Sequence, residues 1–348
     1  MNLSEKVNID SFILKDANIP IVDVRSPGEF EHAHIPGAYN IPLFTNDERA
    51  IVGTIYKNSG KEHAVMKGLE IVGPKMVNLV KEAKKIAFDN KIFIHCWRGG
   101  MRSESMAWLF ETNGIKCSII EGGYKAYRRF IKVEMAKKTS FLILGGMTGS
   151  GKTKILHALK NLGEQIIDLE HLAHHKGSAF GGIGQEIQAT TEQFENNLFD
   201  IWQNLDKNKT IWIEDESKAV GGVKIPDEIF LKMRQSPVIE LRIGKHYRIQ
   251  ELVNEYAELN ANELKNAILR IQKKLGGQNT KACLESIDNK DYAIAVNHAL
   301  KYYDRAYLKG LAARQPDTIY PLELEGTNVL KNSKNVISFA RLKGLLAD

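Results

Sequence analysis

Cysteine is scarce: the 348 residues contain three, at positions 96, 117 and 283. That number and scatter exclude a disulfide framework and a cysteine-rich zinc site. They fit a reducing compartment, in which any special cysteine acts as a thiol. No run approaches the ~18 continuous apolar residues of a membrane helix. The opening MNLSEKVNIDSF has neither a basic nor an apolar leader region, so a cytoplasmic location without a membrane partner is expected. Internal repeats and low-complexity tracts are also missing. What remains is ordinary globular composition, 43% hydrophobic and 26% charged. The length predicts two domains at roughly 150 residues each. A formal net charge of +6 admits a polyanionic partner without assigning one.

Apolar runs and turn residues divide the chain into two blocks. In the first, IPIVDVRS (19–26), KIFIHC (91–96) and CSIIEGG (117–123) read as buried strands, with VNLVKEAKKIAF and MAWLFETNG at helical spacing between them. Strands alternating with helices predict a largely parallel α/β sheet. The segment 124–140, rich in Lys and Arg, reads as a basic helical connector. The second block opens on FLIL, a four-residue strand that runs into a glycine-rich turn, and continues through QIIDLEHL and TIWIEDES, two further strands ending in carboxylates. From about Pro237 onward helical patterns dominate.

Gly146 to Thr153 (GMTGSGKT) fits G-x-x-x-x-G-K-[ST] with a strand before it and a helix after it. Gly146, Gly149 and Gly151, with Thr148 and Ser150, let amide groups approach an oxyanion closely. The helix N-terminus and Lys152 add positive charge, and Thr153 offers a hydroxyl to Mg²⁺. The pattern recognises a di- or triphosphate and leaves the rest of the ligand open. TIWIEDES ends in Glu214, Asp215 and Glu216, where a metal-binding acid is expected. Side chains alternate along a strand, so Asp215 and one neighbour are the candidates. No dedicated metal site is assigned, Mg²⁺ remains open, and no other cofactor is expected.

The second constellation is HCWRGGMRS (95–103). A loop running from strand end to helix start turns its amides towards Cys96, and Arg98 and Arg102 add positive field. These terms favour thiolate, so Cys96 is the expected nucleophile within the anion loop Trp97, Arg98, Gly99, Gly100, Met101 and Arg102. Cys117 and Cys283 read as inert. The spacing C-x5-R leaves two chemistries open: attack on phosphorus, or uptake of a chalcogen as persulfide or perselenide.

DVRSPGEFEHAHIPGAYNIP (23–42) and EGGYKAY (121–127) resemble the opening and closing signatures of rhodanese domains. Joined to CWRGGMRS and GGMTGSGKT in this order, they resemble the tRNA 2-selenouridine synthase family. DLEHLAHHKGSAFGG (168–182), FENNL (194–198), WIEDESKAVGG (212–222) and YYDRAY (302–307) agree, so the resemblance runs from about residue 20 to 310. It implies a rhodanese-like domain over 1–123, the connector 124–140, and a P-loop NTPase-like domain with a helical extension over 141–348. It also implies replacement of sulfur by selenium in 2-thiouridine at the tRNA wobble position. A geranyl group from geranyl diphosphate is first placed on the sulfur, and selenophosphate then supplies selenium through Cys96. The P-loop would hold the diphosphate of the prenyl donor. Glu170, His174, Lys176, Gly177 and Ser178 are expected to line the cleft with Glu214 and Asp215. Lys176 stands where the family pattern leads one to expect Arg, keeping the charge without the bidentate geometry.

Two other readings compete. One is a cysteine phosphatase fused to a kinase-like P-loop domain; the other is a nucleotide-gated binding protein with a scaffold rhodanese domain. A tRNA partner calls for a basic surface, for which the connector and Lys232, Arg234, Arg242, Lys245, His246, Arg248, Arg270, Lys273 and Lys274 are the candidates. Tyr247, Tyr256 and Tyr302 read as packing residues before base-stacking ones.

Overall fold

The computed structural model describes residues 4–14, 18–257 and 259–346. Residues 1–3, on which part of the N-terminal reading rests, lie outside the described residues. Two compact units divide the chain, Met1–Met135 and Ala136–Asp348.

The first unit is a parallel sheet whose three inner strands are short runs rich in β-branched residues. Its strands are β1 (Glu5–Val7), β2 (Ile21–Asp23), β3 (Tyr39–Asn40), β4 (Lys91–His95) and β5 (Lys116–Ile120). They lie in the order β1-β5-β4-β2-β3, so β4 sits in the middle. Val22, Ile92, Ile94, Cys117 and Ile119 pack with Met106, Ala107 and Phe110 of the Met101–Glu111 helix in one core. The Gly123–Ala136 helix buries Tyr124, Tyr127, Ile131 and Met135, so an apolar stripe backs its basic face. Lys125, Arg129 and Lys132 stay exposed. A long helix, Asn46–Val72, is interrupted at Gly60, where φ is 87°.

At the C-terminal end of β2 lies a buried ion pair. Arg25 Nη2 donates to Asp23 Oδ2 at 2.6 Å and to the Ala33 carbonyl at 2.7 Å. Its guanidinium carbon stands 3.9 Å from the centroid of the Tyr124 ring. Burial pushes the Asp23 carboxyl up, but His95 and Arg25 outweigh it and hold it below its ordinary value.

The second unit is again a parallel sheet, formed by β6 (Phe141–Gly146), β7 (Gln165–Ile167), β8 (Ile211–Glu214), β11 (Val238–Ile243) and β12 (Ile319–Leu324). A small hairpin, β9 (Ala219–Val220) and β10 (Val223–Lys224), stands apart from it. The order β12-β11-β6-β8-β7 puts β6 at the centre, with every residue of β6 and β8 buried. After β6 the chain builds one side of the sheet, and after β8 it crosses to the other. The crevice at the C-terminal end of β6 is therefore the place where such sheets bind ligands. The helices Lys245–Tyr256, Ala261–Leu275, Gly277–Asp288 and Tyr292–Ala312 form the expected helical region around Leu264, Ile268, Leu275, Cys283 and Val296. Within that region β11 and β12 are strands that the helical reading of the tail passed over. No described helix is long and apolar enough to cross a membrane.

Arg25→Ala leaves the Asp23 carboxylate buried without its cation and is expected to cost about 3–5 kcal/mol. Because the Asp23 pKa is depressed, its contribution is present above its ordinary pKa and lost as pH falls through the lowered value. Urea unfolding at pH 7, with hydrogen exchange read at Ile21–Asp23, checks both the size and the location.

Candidate functional site

β4 delivers Cys96 into a loop that enters the Met101–Glu111 helix, and the loop is seated on the Gly122–Gly123 pair. Gly123 has φ 57°, and a Cβ there would stand 2.3 Å from the Cys96 carbonyl oxygen. Gly99 has φ 64°, and its Cβ would meet the Ile120 carbonyl oxygen at 2.4 Å. Neither place admits a side chain. The Tyr124 and Lys125 amides then donate to the Cys96 and Trp97 carbonyls, each at 3.0 Å.

Cys96 is 4% exposed, with Ser103 Oγ 3.4 Å from its sulfur and the Gly100 carbonyl at 3.9 Å. Burial pushes the thiol up. The Ser103 hydroxyl, the Arg98 amide and the Arg102 guanidinium together outweigh burial and hold it below its ordinary value. Arg98 thus acts through its backbone. Arg102 is aimed by Glu29, which accepts from Arg102 Nη1 at 3.1 Å and pairs with Arg49 at 3.0 Å. Trp97 and Met101 stand partly exposed on the same loop. By contrast, burial and Glu111 push Cys117 up to about 12, and burial pushes Cys283 up to about 11.

In the second unit, the loop from Gly146 to Thr153 wraps the end of β6, with Gly149 at φ 79° and Gly151 at φ 73°. It is held from behind. Arg248, 4% exposed, donates from Nη1 to the Thr148 carbonyl at 3.0 Å and grips Asp304 with both terminal nitrogens at 2.9 Å. In front of the loop, Lys152 Nζ lies 3.7 Å from Glu170 and 3.6 Å from Glu216. Thr153 Oγ1 donates to Glu170 Oε2 at 2.8 Å, and the Glu170 amide donates to Glu214 at 2.7 Å. Oxygens of Glu170, Glu214 and Glu216 lie within 4.8 Å of one another.

This crowding shows in the titration. Burial lowers the Lys152 pKa, but the four carboxylates around it raise it further, so it stays charged. Burial and the neighbouring acids push Glu214 well up, and burial chiefly lifts Glu216 to about 7. A cavity of about 480 Å³ opens over the loop.

Both halves match known families. The family described as tRNA 2-selenouridine synthase AAA domain covers residues 139–327, and the Rhodanese-like domain family covers 13–130. Curated proteins named tRNA 2-selenouridine synthase are similar over most of their length. The one from Bdellovibrio bacteriovorus is 35% identical across 90% of each chain, and the one from Sulfurovum sp. is 34% identical across 88% of this chain and 89% of its own. That from Psychromonas ingrahamii is 33% identical across 78% of each. The chain belongs to the tRNA 2-selenouridine synthase family.

Within this tRNA 2-selenouridine synthase family member, Glu170, Lys176, Gly177 and Ser178 reach the P-loop cavity. Gly177 does so at φ 65°, where a Cβ would stand 2.8 Å from Glu216 Oε2 and 3.0 Å from Glu170 Oε1. His174, at φ 48°, turns aside to face Glu186 at 3.6 Å. Asp215 lines the cavity as expected, but as a metal-binding candidate it is corrected. Its carboxylate accepts from Arg314 at 2.6 Å, and Glu214 and Glu216 join the cluster with Glu170 instead. Arg248 is likewise no surface residue, since it braces the P-loop. Tyr256 is core, while Tyr247 and Tyr302 pack at core edges. Sequence reasoning passed over Glu29 and Arg248 as site residues, quoted Ser103 without a role, and left Glu216 as one possible neighbour of Asp215. Ser103 stands one position beyond the quoted arginine, and that adjacency was the available signal.

At pH 7 a small alkylating reagent should label Cys96 and leave Cys117 and Cys283 unreacted, as read by peptide mass spectrometry. Ser103→Ala should move the inflection of the Cys96 rate–pH profile upward, by more than Arg102→Ala does. For Glu216, a raised folded pKa means its contribution to stability is full below its ordinary value and lost as pH rises through about 7. Without divalent cations, melting temperature should therefore fall from pH 5 to pH 8, and Glu216→Gln should flatten that fall.

Proposed function

We propose that the protein converts 2-thiouridine to 2-selenouridine at the wobble position of tRNA, with geranyl diphosphate and selenophosphate as co-substrates. What supports the reading is one feature: two preformed anion cradles on one chain, one holding a nucleophile and the other none. A phosphate loop without a nucleophile suits a leaving group. The thiocarbonyl sulfur attacks C1 of the prenyl donor, a carbon–sulfur bond forms, and the carbon–oxygen bond breaks to release diphosphate. Lys152, Thr153 and the loop amides hold that diphosphate and steady its growing charge. Alkylation turns a poor leaving group into a thiolate-type one.

The second step belongs to Cys96. Selenium in selenophosphate is already fully reduced, so a balanced transfer has the Cys96 thiolate attack phosphorus. Hydroselenide departs, and water later clears the phosphocysteine. The C-x5-R loop, with Arg102 aimed into it by Glu29, is sized for that phosphoryl group. Hydroselenide adds to C2 of the geranylated base, and geranyl thiolate leaves.

Lys152 faces three carboxylates, so a diphosphate alone would enter a site already rich in negative charge. The donor set of Thr153, Glu170, Glu214 and Glu216 fits Mg²⁺, which supplies charge neutralisation to a bound diphosphate. For tRNA, each unit offers exposed cations of its own: Lys125, Arg129 and Lys132 in the first, and Lys245, His246, Lys273 and Lys274 in the second.

The test is nucleoside mass spectrometry on 2-thiouridine tRNA incubated with both co-substrates. Wild type should yield S-geranyl-2-thiouridine with the prenyl donor alone and 2-selenouridine once selenophosphate is added. Cys96→Ala should stop at the geranylated base, and Lys152→Ala should leave 2-thiouridine. An unchanged mass in every wild-type reaction would remove the proposal.

A further inference from the structure

The cavity over the P-loop has a mixed lining. Lys152, Glu170 and Glu216 supply charge to it, and Phe180, Ile183, Leu252 and Tyr256 supply apolar surface. These four are 5%, 8%, 6% and 9% exposed, so they are set in the core of the helical region and offer a fixed surface. The apolar surface begins at the phosphate loop itself, since a Cβ on Gly149 would meet Leu252 Cγ and Cδ1 at 3.0 Å. From there it continues through Tyr256 to Phe180, whose rings lie 4.8 Å apart. Tyr303 adds its ring 6.3 Å from Phe180, and its hydroxyl is taken by the Ala179 amide at 3.0 Å. The acids nearest this wall, Glu251 and Glu255, are directed to Lys154.

We propose that Phe180, Ile183, Leu252 and Tyr256 form a prenyl-chain subsite, which seats the hydrocarbon of the diphosphate donor and sets the chain length the enzyme accepts. This rests on the prenyl-transfer reading above and adds to it the residues that read the chain. A nucleobase is recognised by hydrogen bonds at its edges, and a wall of this composition would leave them unpaired. A branched hydrocarbon asks only for burial, which this wall provides. Leu252 is the pivotal residue, because it touches the phosphate loop on one side and the chain path on the other. Ile183 comes from a different segment and closes the path independently.

The experiment is a competition among dimethylallyl, geranyl and farnesyl diphosphates, with 5, 10 and 15 carbons, for transfer to 2-thiouridine tRNA by the full-length protein. It is run on wild type, Leu252→Trp, Leu252→Ala and Ile183→Ala, with melting temperature and inhibition by inorganic diphosphate measured for each. Leu252→Trp should move the ratio of kcat/KM values towards the five-carbon donor by about tenfold or more, the scale of a methylene-sized change in a pocket. The two alanine variants should move it towards the fifteen-carbon donor. Inhibition by inorganic diphosphate should stay as in wild type for Ile183→Ala, which comes from a segment apart from the phosphate loop, and its measurement in the two Leu252 variants separates an effect on the head-group site from one on the chain. Folded variants that keep the wild-type ratio and the wild-type diphosphate inhibition would overturn the subsite. No transfer from any donor by wild type would instead overturn the prenyl-transfer reading, and the subsite with it.

Discussion

One half-buried ammonium organises the second domain. Lys152 sits at the first turn of the helix after β6, and Glu170 and Glu216 reach it from two other parts of the chain. Glu170 comes from the short helix after β7, and Glu216 from just beyond β8. The loop carrying Gly177 closes over these carboxylates so tightly that no side chain fits there. Three segments far apart in sequence are thus registered on a single charge. The excess of carboxylates also explains why burial and mutual repulsion push Glu214 and Glu216 towards their protonated forms. Such a site is poised for an anion that brings a cation with it, and unfavourable for an anion alone.

The cysteine site is built by the opposite means. Its electrostatics come from backbone amides, one hydroxyl and one guanidinium, and its shape from glycines with left-handed backbone angles. Gly99 and Gly123 let the loop and the start of the next helix touch backbone to backbone. Glu29 then fixes the direction of Arg102. The opening signature DVRSPGEFEHAHIPGAYNIP therefore supplies two fixed charges: the Asp23–Arg25 pair at the end of β2 and the Glu29 carboxylate that holds the loop arginine.

Strands were legible wherever a β-branched run met a turn residue, as at Ile21–Asp23, Lys91–His95 and Phe141–Gly146. Cys96 and the P-loop were legible because each packs its chemistry into a short stretch. The Asn46–Val72 helix was not, since its apolar residues are scattered between core-facing and exposed positions and it is broken at Gly60, leaving no periodicity to read. β12 escaped because it is an edge strand with Pro321 inside it, a pattern that weakens the strand signal. The choice among Glu214, Asp215 and Glu216 needed the partner of each. Alternation restricts which acids share a face, but only Arg314, 99 residues away, decides which acid turns aside. Arg248 looked like surface charge for the same reason, because its partner Asp304 lies 56 residues further on.

The central claim is that the P-loop of this chain holds a prenyl diphosphate and not a nucleotide. Calorimetric titration of the full-length protein with geranyl diphosphate, ATP and GTP, each in the presence of Mg²⁺, tests it most directly. The account predicts that geranyl diphosphate binds at least about tenfold more tightly than either nucleotide, a difference of roughly 1.4 kcal/mol. It also predicts that inorganic diphosphate displaces it and that Lys152→Ala abolishes it. ATP or GTP binding more tightly than geranyl diphosphate at the same Lys152-dependent site would contradict the account.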